Sequence, residues 1–164
     1  MKLLKEFTFH QLPAMQKENV RLNAIGRIDA LPDAARLGLL AAMKATRNNT
    51  AGVLTLALNY GGRAEITDSA RKIAQAAAKG EIDPDKLDES TFAGYLYDPE
   101  LPDADLVVRT SGEFRISNFL LWQLAYSELY ISDVMWPDFD ENQLQKALDS
   151  FAGRDRRFGG VKNK

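Results

Sequence analysis

The sequence predicts an α/β fold with a mainly parallel sheet flanked by helices. Three observations carry that expectation: short apolar runs alternate with longer segments of helical periodicity, Gly or Asn marks the junctions, and no linker or low-complexity tract interrupts the alternation. With 164 residues, 45% of them hydrophobic and only 11 Gly and 6 Pro, one compact core can be filled, so a single domain over 1–164 is expected.

In chain order, Leu3 to Lys17 has apolar residues spaced for a helix, with a break expected near Pro13. Val20 to Ile25 alternates as a strand and closes on the turn residue Gly26. Leu31 to about Arg47 reads as a long helix: Pro32 is tolerated in its first turn, Asp33 suits its positive end, and Asn48-Asn49-Thr50 stops it. Val53 to Tyr60 is a nearly continuous apolar run, the pattern of an interior strand covered on both faces. Gly61-Gly62 ends it, and Arg63 to Lys79 reads as a helix capped by Gly80. After a polar stretch holding Pro84 comes a short helical piece around Phe92 to Leu96. Asp105 to Arg109 is then a third strand, Glu128 to Ser132 a fourth, and Glu141 to Phe151 a last amphipathic helix.

Composition excludes several chemistries. A formal charge of -2 argues against a nucleic-acid partner, whose phosphates demand a clear excess of Lys and Arg. The absence of Cys removes disulfides, thiolate metal sites and cysteine nucleophiles. No apolar stretch has the length of a signal core or a membrane span, so a cytoplasmic protein is expected. His10, the one histidine, has no partner suggested by spacing and reads as a surface or packing residue.

Parallel sheets place ligands beyond the carboxyl ends of their strands, where Arg109 stands. The run from Arg109 to Asn118 sets two guanidinium groups, three hydroxyls and a glycine between a strand and an expected helix start. Arginine forks match phosphate oxygens, and Ser117 or Asn118 at a helix start would leave backbone N–H groups facing an anion. The same residues admit a structural reading, with Arg109 paired to Glu113, Arg115 a surface charge and Ser117 an N-cap. Phe119, Trp122 and Tyr126 fall at helical spacing and read as packing residues.

The run Asp105-Leu106-Val107-Val108-Arg109-Thr110-Ser111-Gly112-Glu113-Phe114-Arg115-Ile116-Ser117-Asn118-Phe119-Leu120-Leu121-Trp122-Gln123 resembles the signature of cis-prenyltransferases of the undecaprenyl diphosphate synthase type. The likeness continues through Ala125 to Tyr130 and Trp136-Pro137-Asp138-Phe139, and extends to Asn59-Tyr60-Gly61-Gly62-Arg63 and Arg156-Arg157-Phe158-Gly159-Gly160. It implies that Arg109, Arg115 and Ser117 bind the diphosphate of isopentenyl diphosphate and that Glu128 helps hold Mg²⁺. It also implies a homodimer in which Arg157 and Gly159 reach the partner subunit's active site. Mg²⁺ suits that role because it prefers hard oxygen ligands and commonly joins one or two carboxylates to phosphates. The bland readings are a solvated strand-edge charge at Glu128, a frayed basic terminus around Arg157, and an ordinary turn at Asn59 to Arg63. The apolar run from Val53 to Leu58 is either channel wall or core.

The implied reaction joins isopentenyl diphosphate to an allylic diphosphate such as farnesyl diphosphate, giving a cis-polyprenyl diphosphate of the cell-wall lipid-carrier class. A lipid product admits peripheral membrane contact. The family's Asp-Gly-Asn-Gly-Arg-Trp phosphate loop, with its catalytic aspartate, and its Ser-x-Glu-Asn-Trp segment have no counterpart in the sequence, so no catalytic residue is identified. The expectation is the C-terminal two thirds of a cis-prenyltransferase domain, a truncated fold that carries the isopentenyl half-site and is inactive alone. The alternative is a non-catalytic accessory subunit that lends its C-terminal element to a catalytic homologue.

Overall fold

The computed structural model describes residues 2–154, which fall into two compact units, Met1–Asp98 and Pro99–Lys164. In the first unit the elements are α1 (Lys2–Lys17), β1 (Val20–Ile25), α2 (Asp33–Thr46), β2 (Gly52–Ala57), α3 (Gly62–Ala78) and α4 (Glu89–Ala93). β1 and β2 run parallel in the register Val20↔Gly52 to Ile25↔Ala57, so the α2 connection is a βαβ crossover. α1 and α2 pack against β1 over a core of Met15, Leu22, Ala24, Leu31, Leu39 and Ala42. Thr46 locks the end of α2 to the strand: its buried hydroxyl donates to the Ala42 carbonyl (3.0 Å) and accepts from the Leu22 N–H (3.0 Å). Asn49 ends the helix where expected, donating to the carbonyls of Met15 (3.2 Å) and Val20 (2.8 Å).

Two local expectations are corrected. α1 runs through Pro13 without a break, since Leu12 and Met15 on either side pack in the core and offset the lost backbone bond. β2 is not covered on both faces: Val53 is 52% and Leu54 38% exposed. Its only described strand partner is β1, and the packed helices lie against β1, so only Leu56 and the following Leu58 reach the core. Gly26 turns the chain after β1 at φ +116, where an added Cβ would stand 2.1 Å from the Leu58 carbonyl oxygen. Only glycine fits there.

The second unit holds β3 (Leu106–Arg109), β4 (Glu128–Ile131) and α5 (Glu141–Ala152). β3 and β4 are parallel in the register Leu106↔Glu128 to Arg109↔Ile131. Backbone bonds Glu128 N to Asp105 O (2.9 Å) and Ser132 N to Arg109 O (2.7 Å) extend the ladder at both ends. α5 starts on Asp140, whose carboxylate accepts from the Gln143 N–H (3.0 Å), and packs against β4. The architecture is thus α/β with parallel strand pairs flanked by helices. The helix expected to start at Ser117 does not form. Ser117, Asn118 and Leu120 adopt φ of 47, 64 and 43, and the chain winds through separate turns such as Phe119 N to Ile116 O and Leu124 N to Leu120 O. Left-handed residues at three of four successive positions cannot propagate a right-handed helix.

Candidate anion-binding site

Side chains on a strand alternate between faces, and residues paired across a parallel register share one. Val107 and Arg109 of β3 therefore lie with Leu129 and Ile131 of β4, and all four line a pocket of about 950 Å³. The segment after β3 closes it with Phe114, Arg115, Ser117 and Phe119. The strand-end rule thus puts Arg109 at the carboxyl rim of an apolar floor. The connecting segment is pinned to the unit by Ser111 N to Val134 O and Gly112 N to Ser132 O, both 2.9 Å. Ser111 also adopts positive φ (67), so this loop holds several non-glycine residues in a disfavoured conformation. Such concentrations cost on the order of 1 kcal/mol or more per residue and persist where surrounding contacts over-determine the backbone.

Among the described residues no ion pair or side-chain hydrogen bond engages the half-buried Arg109 guanidinium. Arg115 pairs with Glu113, so the anticipated Arg109–Glu113 pair is not formed. At 61% side-chain exposure Arg115 can exchange that partner for another anion at small cost. Ser117 caps no helix. An apolar cavity bearing two guanidinium groups and a hydroxyl suits a molecule with an anionic head and a hydrocarbon body.

Glu128 stands apart from this group. It is the first residue of β4, paired with Leu106, and alternation turns it to the face opposite Arg109. Arg154 holds its carboxylate at 2.7 Å, so it is not simply a solvated charge. The described residues contain no group of three or more His, Asp or Glu arranged to hold a metal. Arg157 and Gly159 lie outside the described residues. Asn59, in the first unit, exchanges bonds with Arg27: its Nδ2 donates to the Arg27 carbonyl (3.1 Å) and its own carbonyl accepts the Arg27 N–H (3.3 Å). Arg63 opens the first turn of α3, and His10 is exposed on α1.

Two polar clusters in the first unit escape a reading of the sequence. Asp68 on α3 accepts from Arg27 Nε (2.9 Å), Arg71 (2.7 Å) and the Tyr97 hydroxyl (2.7 Å). Bonds from Arg27, then Tyr97, then Arg71 hold its carboxyl well below the usual carboxylate range. Burial first, and the bond to Asp68 second, push the Tyr97 phenol up. Buried Glu65 accepts from the Tyr60 hydroxyl (2.6 Å) and the Tyr97 N–H (3.1 Å). The i, i+3 spacing of Asp68 and Arg71 was the available signal; Arg27 and Tyr97 had none.

Residues 1–159 match a prenyltransferase family model described as undecaprenyl diphosphate synthase. The isoprenyl transferase of Heliobacterium mobile is 48% identical over 160 residues, covering 98% of this chain and 62% of the relative. That of Geobacillus kaustophilus is 47% identical over 161 residues, covering 98% and 63%. The chain thus spans a little under two thirds of these relatives' length. Among solved structures, lavandulyl diphosphate synthase from Lavandula x intermedia, in complex with dimethylallyl diphosphate, superposes with a TM-score of 0.93 at 34% identity, covering 97% of this chain and 69% of that one. A probable undecaprenyl diphosphate synthase from Campylobacter jejuni gives 0.83 at 32% identity, covering 96% and 72%.

Proposed function

The chain belongs to the undecaprenyl diphosphate synthase family of prenyltransferases, and from that premise we propose that it is the part of a cis-prenyltransferase that holds isopentenyl diphosphate. Arg109, Arg115 and Ser117 take the diphosphate, and the floor of Val107, Leu129 and Ile131 takes the hydrocarbon. The observation that carries this reading is Arg109, half-buried and without a described side-chain partner, at the rim of an apolar pocket that Arg115 and Ser117 also line. In the reaction the isopentenyl double bond attacks the allylic carbon, the allylic C–O bond breaks to release diphosphate, and a proton leaves to form the new cis double bond. These residues bind and orient the isopentenyl partner, and the apolar walls exclude water from the cationic centre.

Bound Mg²⁺ would neutralise charge on a departing diphosphate. Glu128 is the carboxylate proposed to hold it, and its donor chemistry fits: a hard oxygen, about a third exposed, already engaged by a cation. Alternation along β4 turns Glu128 away from the face that carries Leu129 and Ile131. That agrees with a homodimer in which Arg157 and Gly159 also serve the partner's site. The same placement supports the second reading, a non-catalytic accessory subunit. Residues 1–164 include no catalytic aspartate loop, so prenyl transfer by this chain alone is not expected. No described helix is long and apolar enough to cross a membrane; a cytoplasmic location with peripheral contact through the lipid product is proposed.

Calorimetric titration with isopentenyl diphosphate, with and without Mg²⁺, tests the half-site. Arg109→Ala with Arg115→Ala should weaken binding by at least about a hundredfold, since each charge-assisted contact is worth about 1.5–3 kcal/mol. A folded wild type that binds nothing overturns the proposal, and measurable prenyl transfer by the purified chain overturns its inactivity.

A further inference from the structure

We propose that Ser132 is a positioning residue for the anion-binding loop, its buried hydroxyl fixing the turn that holds Arg115 and Ser117 at the pocket. The inference rests on the reading of that pocket as the isopentenyl half-site and adds what keeps its polar lining in place. Ser132 follows β4 directly and is 5% exposed. Its polar atoms enter one clamp. The N–H donates to the Arg109 carbonyl (2.7 Å), the carbonyl accepts from the Gly112 N–H (2.9 Å), and Oγ accepts from the Val134 N–H (3.3 Å). The Val134 carbonyl in turn accepts from the Ser111 N–H (2.9 Å).

The loop needs such a clamp because its backbone is costly. Ser111, Gly112, Ser117, Asn118 and Leu120 all hold positive φ, and only one of them is glycine. A segment of that kind relaxes unless its neighbours over-determine it. The ladder fixes Arg109 through β3, but Arg115 and Ser117 lie beyond it and depend on where Ser111 and Gly112 are held. Those two N–H groups go to residues 134 and 132, and the Ser132 hydroxyl ties the two acceptors into one turn. Turn and loop also touch: a Cβ on Gly112 would stand 3.3 Å from Asp133 Oδ1, so movement of one displaces the other.

Calorimetric titration of the purified chain with isopentenyl diphosphate tests this role. Ser132→Ala should weaken binding about fivefold, the factor that a hydrogen bond of ordinary net strength supports. Ser132→Thr keeps the hydroxyl and should bind within about twofold of the unsubstituted chain, while Ser132→Val, of the same shape as threonine, should be as weak as alanine. In a chain already carrying Arg115→Ala, Ser132→Ala should cost less than about twofold, because the guanidinium it positions is gone; a residue that merely stabilised the unit would cost as much in either background. Hydrogen exchange of the Ser111 and Gly112 amides should accelerate about fivefold in Ser132→Ala while the amides of the β3–β4 ladder keep their rates. If the unsubstituted chain binds isopentenyl diphosphate and Ser132→Ala binds equally well, or threonine and valine bind alike, positioning through the hydroxyl is wrong and the half-site stands. If the unsubstituted chain binds none, the half-site and the positioning role fall together.

Discussion

Asp68 shows how much a single residue's partners decide. Three donors from Arg27, Arg71 and Tyr97 depress its carboxyl, and a carboxylate with a depressed folded value contributes stability that is present above its unfolded value and lost as pH falls through the folded one. The unfolded value lies near 4, so the thermal midpoint should decline as pH drops from about 5 to 2. The capping carboxylates Asp88 and Asp140, also lowered by bonds from the helix starts they cap, add in the same direction. Asp68→Asn should cost about 1 kcal/mol at neutral pH and flatten part of that decline, measured by thermal melts across pH. Gln123 is the opposite case: it is 2% exposed and neither amide atom has a partner among the described residues. Gln123→Met should raise the unfolding free energy measured in urea by about 1 kcal/mol, since it removes a buried polar group with no partner among the described residues. Of the residues the structure brings together, only the polar lining of the pocket was grouped beforehand. Arg109, Arg115 and Ser117 lie within one short run, whereas Arg27 and Tyr97 stand 41 and 29 residues from Asp68, and only the fold brings them together.

Among the elements, strands and long helices were legible because their signals are local. The Val20–Ile25 alternation, the Ala-rich body of α2 and the Asn49 stop each acted within a few residues. What failed depended on packing at a distance. The apolar run of β2 gives no hint of how many neighbours will cover it, and the segment from Ser117 has helical apolar spacing that its left-handed residues override. The glycine after β1 was readable as a turn, yet its requirement is steric as well as conformational. Gly26→Ala would place a Cβ 2.1 Å from the Leu58 carbonyl oxygen and hold alanine at φ +116, so it should destabilise by about 3 kcal/mol or more in equilibrium unfolding. Thr46→Val tests the tie between α2 and β1. Losing its two buried hydroxyl bonds should cost about 2 kcal/mol, with no change in diphosphate binding in the second unit.

At the scale of the whole molecule, the alternation of element types sufficed for the fold class, and a continuous motif sufficed for the family. Association was harder to read, because apolar residues destined for a core and for a partner look alike in sequence. Phe114, Tyr126, Met135 and Trp136 are all strongly exposed, which is more large apolar surface than isolated residues explain. Sedimentation velocity should therefore show concentration-dependent dimers; a monomer throughout the micromolar range would remove support for the homodimer. The strand pair of the second unit, finally, makes the chain a two-sided object with opposite electrical tastes. Odd positions of β3 and β4 line the pocket, with Arg109 at its rim, while the even-numbered Glu128 pairs with Arg154. Alternation places Arg109 and Glu128 on different faces. A slip of one residue in this short ladder would turn Arg109 away from the pocket and Glu128 toward it, so a single-residue deletion here should be damaging.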